Sequence, residues 1–430
     1  MLHRFVLILT TSLLVSFPFY AKAANQSISP KTYEALNEIQ ELLTQEKYSE
    51  VEEGLKDLEE NLTPGFGLAL TYQIHAQLFL AQENSQQALM YFNKALELEA
   101  MKAVQAVSLA TNVAQLYLSN NDGTNSQVDK AIVMLQPRIE AAEKEKAKST
   151  NAMAFITLGS AFQLKQDFKN AIVWLKQGID RAKQPRENWL QMLMAAHYQL
   201  KQFKQAIAVL DQLIVINEKK EEYWLQQASL HQLMQQPKAA LKVLQLAHVR
   251  NILEKEDGLI LLVQLLITQG IPERGGRILL DLLQQEKIEL NEDNWKLLAS
   301  AWLQSRERKQ AVKAFIKAAE LSSQTAKSTQ DNNERLKMKE AAAKLYYRSA
   351  QLQFDESDFN GAISSFAKAR ELGINGKKLG LSLLMQGNAY FELTDYVNAK
   401  VYFSKALKEA SSTNSARAWL DYMQQLELLK

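Results

Sequence analysis

Four histidines beyond the first 24 residues are the side chains best suited to acid–base catalysis or metal binding: His75, His197, His231 and His248. None belongs to a His-Glu-x-x-His pair, the spacing that places two imidazoles on one helical face. The absence of cysteine excludes disulfides, thiol catalysis and thiolate metal sites. The Gly-rich segment Gly270–Arg277 lacks the Lys-Ser/Thr ending and the preceding strand of a phosphate loop. We therefore expect no enzyme, no metal and no cofactor.

Composition favours a helical protein without affinity for nucleic acid. Ala, Leu, Gln, Lys and Glu dominate, and the 430 residues include only 15 Gly and 7 Pro. Without residues 1–24, 48 basic and 48 acidic side chains remain, so this part of the chain is formally neutral. A neutral surface offers no general electrostatic attraction for DNA, RNA or anionic lipid.

A short pattern recurs along the chain: a small residue, a large apolar residue four positions later, and usually another small residue three positions further. Where the copies are uninterrupted, they repeat every 34 to 37 residues. Such a period indicates stacked helix pairs, which hold partners more often than they perform chemistry. The clearest copies are Ala88-Phe92-Ala95, Ala171-Leu175-Gly178, Ala240-Leu244-Ala247, Ala311-Phe315-Ala318, Ala362-Phe366-Ala369 and Ala399-Phe403-Ala406.

The last copy explains the form of the pattern. Leu383, Gly387 and Tyr390 lie at helical spacing on a first helix, and Ala399 and Phe403 lie on a second. We infer that Gly387 and Ala399 are small because the paired helices approach closely there. Tyr390 and Phe403 then fill the space beside the contact.

These units resemble tetratricopeptide repeats (TPRs), and their signature positions run from about residue 33 to residue 409. The resemblance implies an all-α fold, a right-handed superhelical solenoid of about ten helix pairs. His197 and His231 fall at the position of Tyr390, so packing explains them better than metal binding. An apolar stripe predicts a last helix that caps the stack, with Ala416, Trp419, Leu420, Met423 and Leu426 facing it.

Two segments interrupt the period. Asn120–Gln127 lengthens one turn, and Ser322–Glu340 inserts a polar stretch that we interpret as a loop or a frayed helix extension dividing the solenoid into two arms. Pro137 should kink the helix that contains it. The predicted organisation is therefore an N-terminal solenoid over 25–321, the insertion over 322–340, and further units with the cap over 341–430.

Residues 1–24 have the layout of a secretory signal peptide. His3 and Arg4 precede an apolar run over Phe5–Phe19, and Ala21-Lys22-Ala23 offers a small-x-small cleavage site. The run is short for a membrane span. We therefore expect export, most simply to a bacterial periplasm, without stable membrane insertion after cleavage.

In TPR folds the first helices line a concave groove, which suits extended peptides. At that face the first half of this chain carries mostly amide, hydroxyl and aromatic groups, although an ordinary solvated groove is an equal alternative for any single residue. Trp189 and Tyr223 fall one position before the large residue that opens a unit, so we expect them to be less buried. The predicted groove residues are Asn188, Trp189, Gln191, Tyr198, Tyr223, Ser229, Gln232, Lys296, Lys344, Tyr347 and Asn388.

Some TPR proteins clamp a C-terminal carboxylate with Lys and Asn residues spread over three units. Lys344 and Arg348 fit the last part of such a clamp. Leu261, Leu265 and Leu297 stand where Lys, Asn and Asn would be required. The sequence therefore disfavours that type of partner.

Three stretches, 187–207, 223–247 and 294–311, resemble a narrower group. This group comprises exported TPR proteins encoded beside TonB–ExbB–ExbD systems in marine gamma-proteobacteria. The resemblance implies a periplasmic adaptor for TonB-dependent transport, with TonB, ExbB, ExbD or an outer-membrane receptor as partner. A scaffold for envelope assembly, acting on outer-membrane proteins or peptidoglycan machinery, is the alternative.

Overall fold

The computed structural model describes residues 28–120, 125–145 and 151–426, so the predicted signal peptide lies outside the described residues. Every regular element in these ranges is an α-helix, and the chain divides into two compact units between Glu218 and Lys219. The first unit contains α1 (Pro30–Thr44), α2 (Tyr48–Asn61), α3 (Phe66–Ala81), α4 (Ser85–Glu97), α5 (Ala103–Ser119), α6 (Asn125–Lys144), α7 (Ala152–Leu164), α8 (Phe168–Arg181), α9 (Glu187–Gln199) and α10 (Phe203–Ile216).

The second unit contains the remaining described helices. They are α11 (Glu221–Leu233), α12 (Pro237–Val249), α13 (Glu256–Thr268), α14 (Pro272–Gln284), α15 (Glu292–Gln304), α16 (Arg308–Ser328), α17 (Asn332–Asp355), α18 (Phe359–Glu371), α19 (Gly376–Glu392), α20 (Tyr396–Ala406) and α21 (Thr413–Gln425). Each odd-numbered helix up to α19 packs on the next, which gives the ten predicted pairs in the described part of the chain. The handedness of a superhelix stays a prediction.

The turns within the pairs share one geometry. In every pair except α5–α6, three residues link the helices and the middle one has positive φ, for example Glu83 (φ 59°) and Thr394 (φ 62°). The third residue then donates its backbone N–H to the carbonyl five positions earlier, as from Asp395 to Tyr390 at 2.9 Å. This is a Schellman-type ending, which reverses the chain in the fewest residues. The α5–α6 link lies partly outside the described residues.

Close approach explains the small residues, as the sequence predicted. A Cβ added to Gly387 would lie 2.6 Å from the Phe403 ring, and one added to Gly159 would lie 2.7 Å from Leu175. Ala399 and Phe403 are fully buried. The first and second helices of these pairs therefore touch at the predicted positions.

The predicted insertion is helical rather than a loop. It extends α16 and α17, which are joined by residues 329–331, and the Ser322 hydroxyl donates to the Met338 carbonyl at 3.1 Å. Because the two extended helices pack on each other, this segment does not divide the chain into arms. The division between units lies at Glu218 instead.

The predicted cap is α21. Met423 is fully buried and packs with Phe403, while Trp419 stacks on the same ring with centroids 5.3 Å apart. Leu426 is 47% exposed, contrary to the expectation, because α21 ends one residue before it. Helix α6 continues through Pro137, and no described helix is long and apolar enough to cross a membrane.

Candidate functional site

In the first unit, consecutive first helices lie closer to one another than consecutive second helices do. Helix α1 contacts α3, α5 contacts α7, and α7 contacts α9, whereas no comparable contact joins two second helices in the described residues of this unit. The Gln115 amide donates across this side to the Thr157 hydroxyl at 3.1 Å. We call this side the first-helix face.

On α9, the structure leaves three of the predicted groove residues accessible. Asn188 is exposed, Gln191 is half-buried, and Tyr198 is 46% exposed with its ring 6.0 Å from that of Phe203. They lie at steps of three and seven residues, so they share one side of the helix. This set places one aromatic and two amide side chains on the same side of α9.

In the second unit the predicted groove residues differ in their exposure and in their polar partners. Ser229 is exposed and Gln232 half-buried on α11. Lys296 on α15 forms ion pairs with Glu292 and Asp293, and Lys344 on α17 pairs with Glu340. Asn388 on α19 is half-buried, and its Oδ1 has no hydrogen-bond partner among the described residues.

Three predicted groove residues are buried instead of accessible. Trp189 is 6% exposed and Tyr223 is 2% exposed, so the expectation that they would be less buried was wrong. The cations of Arg186 and Lys220 lie over their rings, and the Lys220 ammonium donates to the Tyr223 hydroxyl. Helix α9 packs on both α8 and α10, so the flank that carries Trp189 is covered.

Tyr347 is the third buried residue. Its ring packs edge-on against Phe366, with centroids 5.7 Å apart, in a core cluster that also contains Ala350 and Ala362. Its position on the predicted face therefore serves the packing of α17 on α18.

The histidines at the Tyr390 position have a structural role. His197 Nδ1 lies 2.7 Å from Gln202 Oε1, and His231 Nδ1 lies 3.0 Å from Gln236 Oε1. Each glutamine immediately precedes the second helix of the pair. The imidazole thus helps to hold the turn, and no cluster of His, Asp and Glu suited to a metal occurs among the described residues.

Buried Glu221, 6% exposed, would be a candidate general acid, but the structure explains it differently. Its carboxylate accepts the backbone N–H of Lys255 at the start of α13. Glu256, one repeat later, likewise accepts from the Glu289 backbone and the Asn294 amide. Both carboxylates join successive helix pairs, so hydrogen bonds to the next pair account for the burial of Glu221.

A cleft of about 810 Å³ lies between α4, α5 and α6 and was not predicted from the sequence. The Asn93 amide donates to the Tyr117 hydroxyl at 2.8 Å, and the Lys130 ammonium lies 5.9 Å from the Tyr117 ring centre. Arg138 donates to the Met134 carbonyl, and burial lowers the pKa of its guanidinium. The lining could hold a peptide side chain, but it contains no nucleophile paired with a base.

Two aromatic clusters occupy equivalent positions in pairs α3–α4 and α19–α20, each with one residue from the preceding second helix. In the first, His75 stacks on Tyr91 at 4.2 Å between centroids, and Lys94 Nζ lies 4.6 Å from the Tyr91 centroid. Glu59 lies 3.8 Å from both His75 Nδ1 and Lys94 Nζ. We call this set the Glu59 cluster, with members Glu59, Tyr72, His75, Phe79, Tyr91 and Lys94.

Burial lowers the pKa of His75, and the nearby Glu59 carboxylate offsets part of this effect. Its Nδ1 has no hydrogen-bond partner among the described residues. The imidazole therefore acts as a flat ring in an aromatic stack.

The second set, the Arg370 cluster, contains Arg370, Gln386, Tyr390, Tyr402 and Lys405. Tyr390 and Tyr402 stack at 5.3 Å, the Arg370 guanidinium lies 5.5 Å from the Tyr402 ring centre, and Lys405 Nζ lies 4.6 Å from it. Burial lowers the pKa of Arg370, and the Tyr402 hydroxyl partly offsets this. One guanidinium nitrogen of Arg370 and Oε1 of Gln386 have no hydrogen-bond partner in the described part of the chain.

A family profile matches one copy of the repeat. The tetratricopeptide repeat profile matches residues 382–413, and no curated protein matches the chain. A TPR protein from Parabacteroides merdae is 13% identical over 66% of this chain and 99% of its own, with a TM-score of 0.31. The C-terminal part of a TPR protein from Cytophaga hutchinsonii is 13% identical over 70% and 97%, with a TM-score of 0.37.

A third similar structure is Naa15/Naa10 bound to HypK-THB, which is 14% identical over 93% of this chain and 66% of its own, with a TM-score of 0.41. These values support no conclusion about a partner or an activity. The fold rests on the helix pairs themselves and on the matched repeat. The described residues therefore form all-α stacks of tetratricopeptide-like helix pairs, of which residues 382–413 match the tetratricopeptide repeat.

Proposed function

We propose that this protein is a scaffold that binds protein partners through its first-helix face. The observation that carries this proposal is the exposed row on α9, where Asn188 and Tyr198 project beside half-buried Gln191. Amide and phenol groups on a rigid helix can hydrogen-bond an extended backbone and anchor one side chain.

The finer part of the proposal is that the scaffold is periplasmic and assists TonB-dependent transport across the outer membrane. It is supported by the layout of residues 1–24 and by the resemblance of 187–207, 223–247 and 294–311 to exported TPR proteins of such systems. TonB, ExbB, ExbD or an outer-membrane receptor would then be the partner.

Affinity capture tests both parts. The tagged protein is expressed in iron-limited cells, and its partners are identified by mass spectrometry. We expect TonB, ExbD or a receptor to be recovered, and the Tyr198→Ala/Gln191→Ala double variant to reduce that recovery about tenfold by losing an anchor. The matched control is Val215→Ala, which alters an 85% exposed side chain on the second helix of the same pair.

Other results would contradict the proposal at different levels. Recovery of outer-membrane or peptidoglycan assembly factors would favour the alternative envelope scaffold. Unchanged recovery with the folded double variant would place the binding surface elsewhere. Recovery of no specific protein would argue against a scaffold.

A further inference from the structure

The exposed face of α20 carries an apolar stripe that ends in a positive charge. Val397 is 76% exposed and Val401 is 42% exposed, and Lys405 follows at the same spacing of four residues. Residues four apart lie on one side of a helix. Tyr402 and Arg370 of the Arg370 cluster border the charged end.

The positive charge of Lys405 lacks the carboxylate partner that Lys94 has in the Glu59 cluster. In the Glu59 cluster, Lys94 lies over Tyr91 and pairs with Glu59. In the Arg370 cluster the position of Glu59 is taken by Arg370, so two cations share the Tyr402 ring.

The acidic groups near the Arg370 cluster do not replace Glu59. Glu371 follows Arg370 and raises the pKa of its guanidinium only as a minor contribution. Asp395 caps α20 by accepting from the Asn398 backbone N–H. No ion pair of Lys405 is found among the described residues. The cluster therefore places a largely buried guanidinium, which has no ion pair among the described residues, beside the exposed and unpaired ammonium of Lys405.

We propose that the exposed face of α20 binds an acidic amphipathic helix of a protein partner. A carboxylate of the partner pairs with the exposed ammonium of Lys405, where the neighbouring Arg370 adds positive charge, and two apolar side chains cover Val401 and Val397. Since four helical residues advance about 6 Å, a partner helix with one carboxylate and two leucines at four-residue spacing matches the stripe. The inference rests on the proposed scaffold function and adds a second binding surface, on second helices.

The test uses a fluorescein-labelled helical peptide with Glu, Leu and Leu at four-residue spacing, and a matched peptide with Gln in place of Glu. Binding to the purified protein is followed by fluorescence anisotropy at low salt. We expect Lys405→Glu and Arg370→Gln each to weaken binding of the Glu peptide about tenfold or more. The matched control Lys94→Gln removes the equivalent lysine of the Glu59 cluster and should leave binding unchanged.

Four results would overturn the proposal. The first is no saturable binding of the Glu peptide up to about 1 mM, the weak end of specific association. The second is equal binding of the Gln peptide, and the third is binding of the Glu peptide to Lys405→Glu within twofold of the unaltered protein. Displacement by inorganic phosphate at the same concentration as free Glu peptide would show a simple anion site, which also contradicts helix docking.

Lys405 is exposed, so its variants test the surface even if Arg370→Gln perturbs folding, which circular dichroism would reveal. The affinity capture and the peptide-binding experiment test different claims, so either can fail without the other. Peptide binding without a captured partner would contradict only the proposed cellular role. If Lys405→Glu leaves recovery of a captured partner unchanged and the Glu peptide does not bind, only this inference is contradicted.

Discussion

The Glu59 and Arg370 clusters place a tyrosine and a lysine at equivalent positions and carry opposite charges at a third. Tyr91 and Tyr402 each follow the small residue of their second helix by three positions, and Lys94 and Lys405 follow it by six. The preceding second helix contributes Glu59 to one cluster and Arg370 to the other. In the first the lysine has a carboxylate partner at 3.8 Å, and in the second it faces another cation.

This difference shows how a repeat separates packing from binding. The aromatic pair and the lysine stem cover the same part of each helix pair, so both clusters contribute apolar contacts. The residue from the neighbouring pair then decides whether the charge is satisfied internally or remains available. Repeats can therefore keep one fold while individual surfaces acquire different partners.

The largest effect should come from breaking the packing behind both clusters. Ala76 is fully buried, and a Cβ at Gly387 would lie 2.6 Å from the Phe403 ring. We expect Ala76→Leu and Gly387→Leu each to lower the free energy of unfolding by about 3 kcal/mol through overpacking, measured by urea denaturation. The exposed Ser404→Leu, a control for added apolar bulk, should change it little. Tolerance of either buried leucine would mean that the two pairs are not packed alike.

Exchanging the charges of Glu59 and Arg370 between the two clusters should have an intermediate effect. Glu59→Arg leaves Lys94 without its partly exposed carboxylate partner, so we expect a loss of about 1 kcal/mol in unfolding free energy. It should also create weak binding of the Glu peptide at α4, where Met90 is 43% exposed. The reciprocal Arg370→Glu should supply Lys405 with a partner and abolish peptide binding. Unchanged peptide binding in both variants would show that the residue at this position does not control binding.

The smallest expected effect concerns pH. Burial lowers the pKa of His75 in the folded protein, so the unfolded chain binds its proton more readily. The stability that depends on neutral His75 is therefore complete above the ordinary histidine pKa and is lost as the pH falls through the folded value. His75→Gln installs the residue that Gln386 provides in the other cluster and should remove this contribution.

Thermal unfolding of the two proteins between pH 7 and pH 5 measures that difference. Glu52, Glu59 and Lys94 also act on His75, so the comparison needs the variant rather than the pH profile alone. His248 also has a pKa lowered by burial, and its contribution should remain in both proteins. An identical pH dependence with and without His75 would refute the assignment.

The candidate site was predictable only where exposure follows directly from helical spacing. Asn188 and Tyr198 are exposed as their positions on α9 indicate, whereas Trp189 and Tyr223 are buried. Spacing identifies which side of a helix a residue occupies, but not how far the neighbouring pair extends over that side. The Arg370 cluster was not predicted because its two charges, Arg370 on α18 and Lys405 on α20, are 35 residues apart in the sequence.

The sequence by itself determined the helix pairs, their number and their contacts. Small residues such as Gly387 and Ala399 recur with the period of the pairs because close helix packing requires them wherever two helices meet. Only the tertiary structure decided that Ser322–Glu340 extends two helices, that the units divide at Glu218, and which charges remain unpaired. The physical reason is that periodicity records contacts within a pair, whereas burial and charge pairing depend on the residues that the next pair contributes.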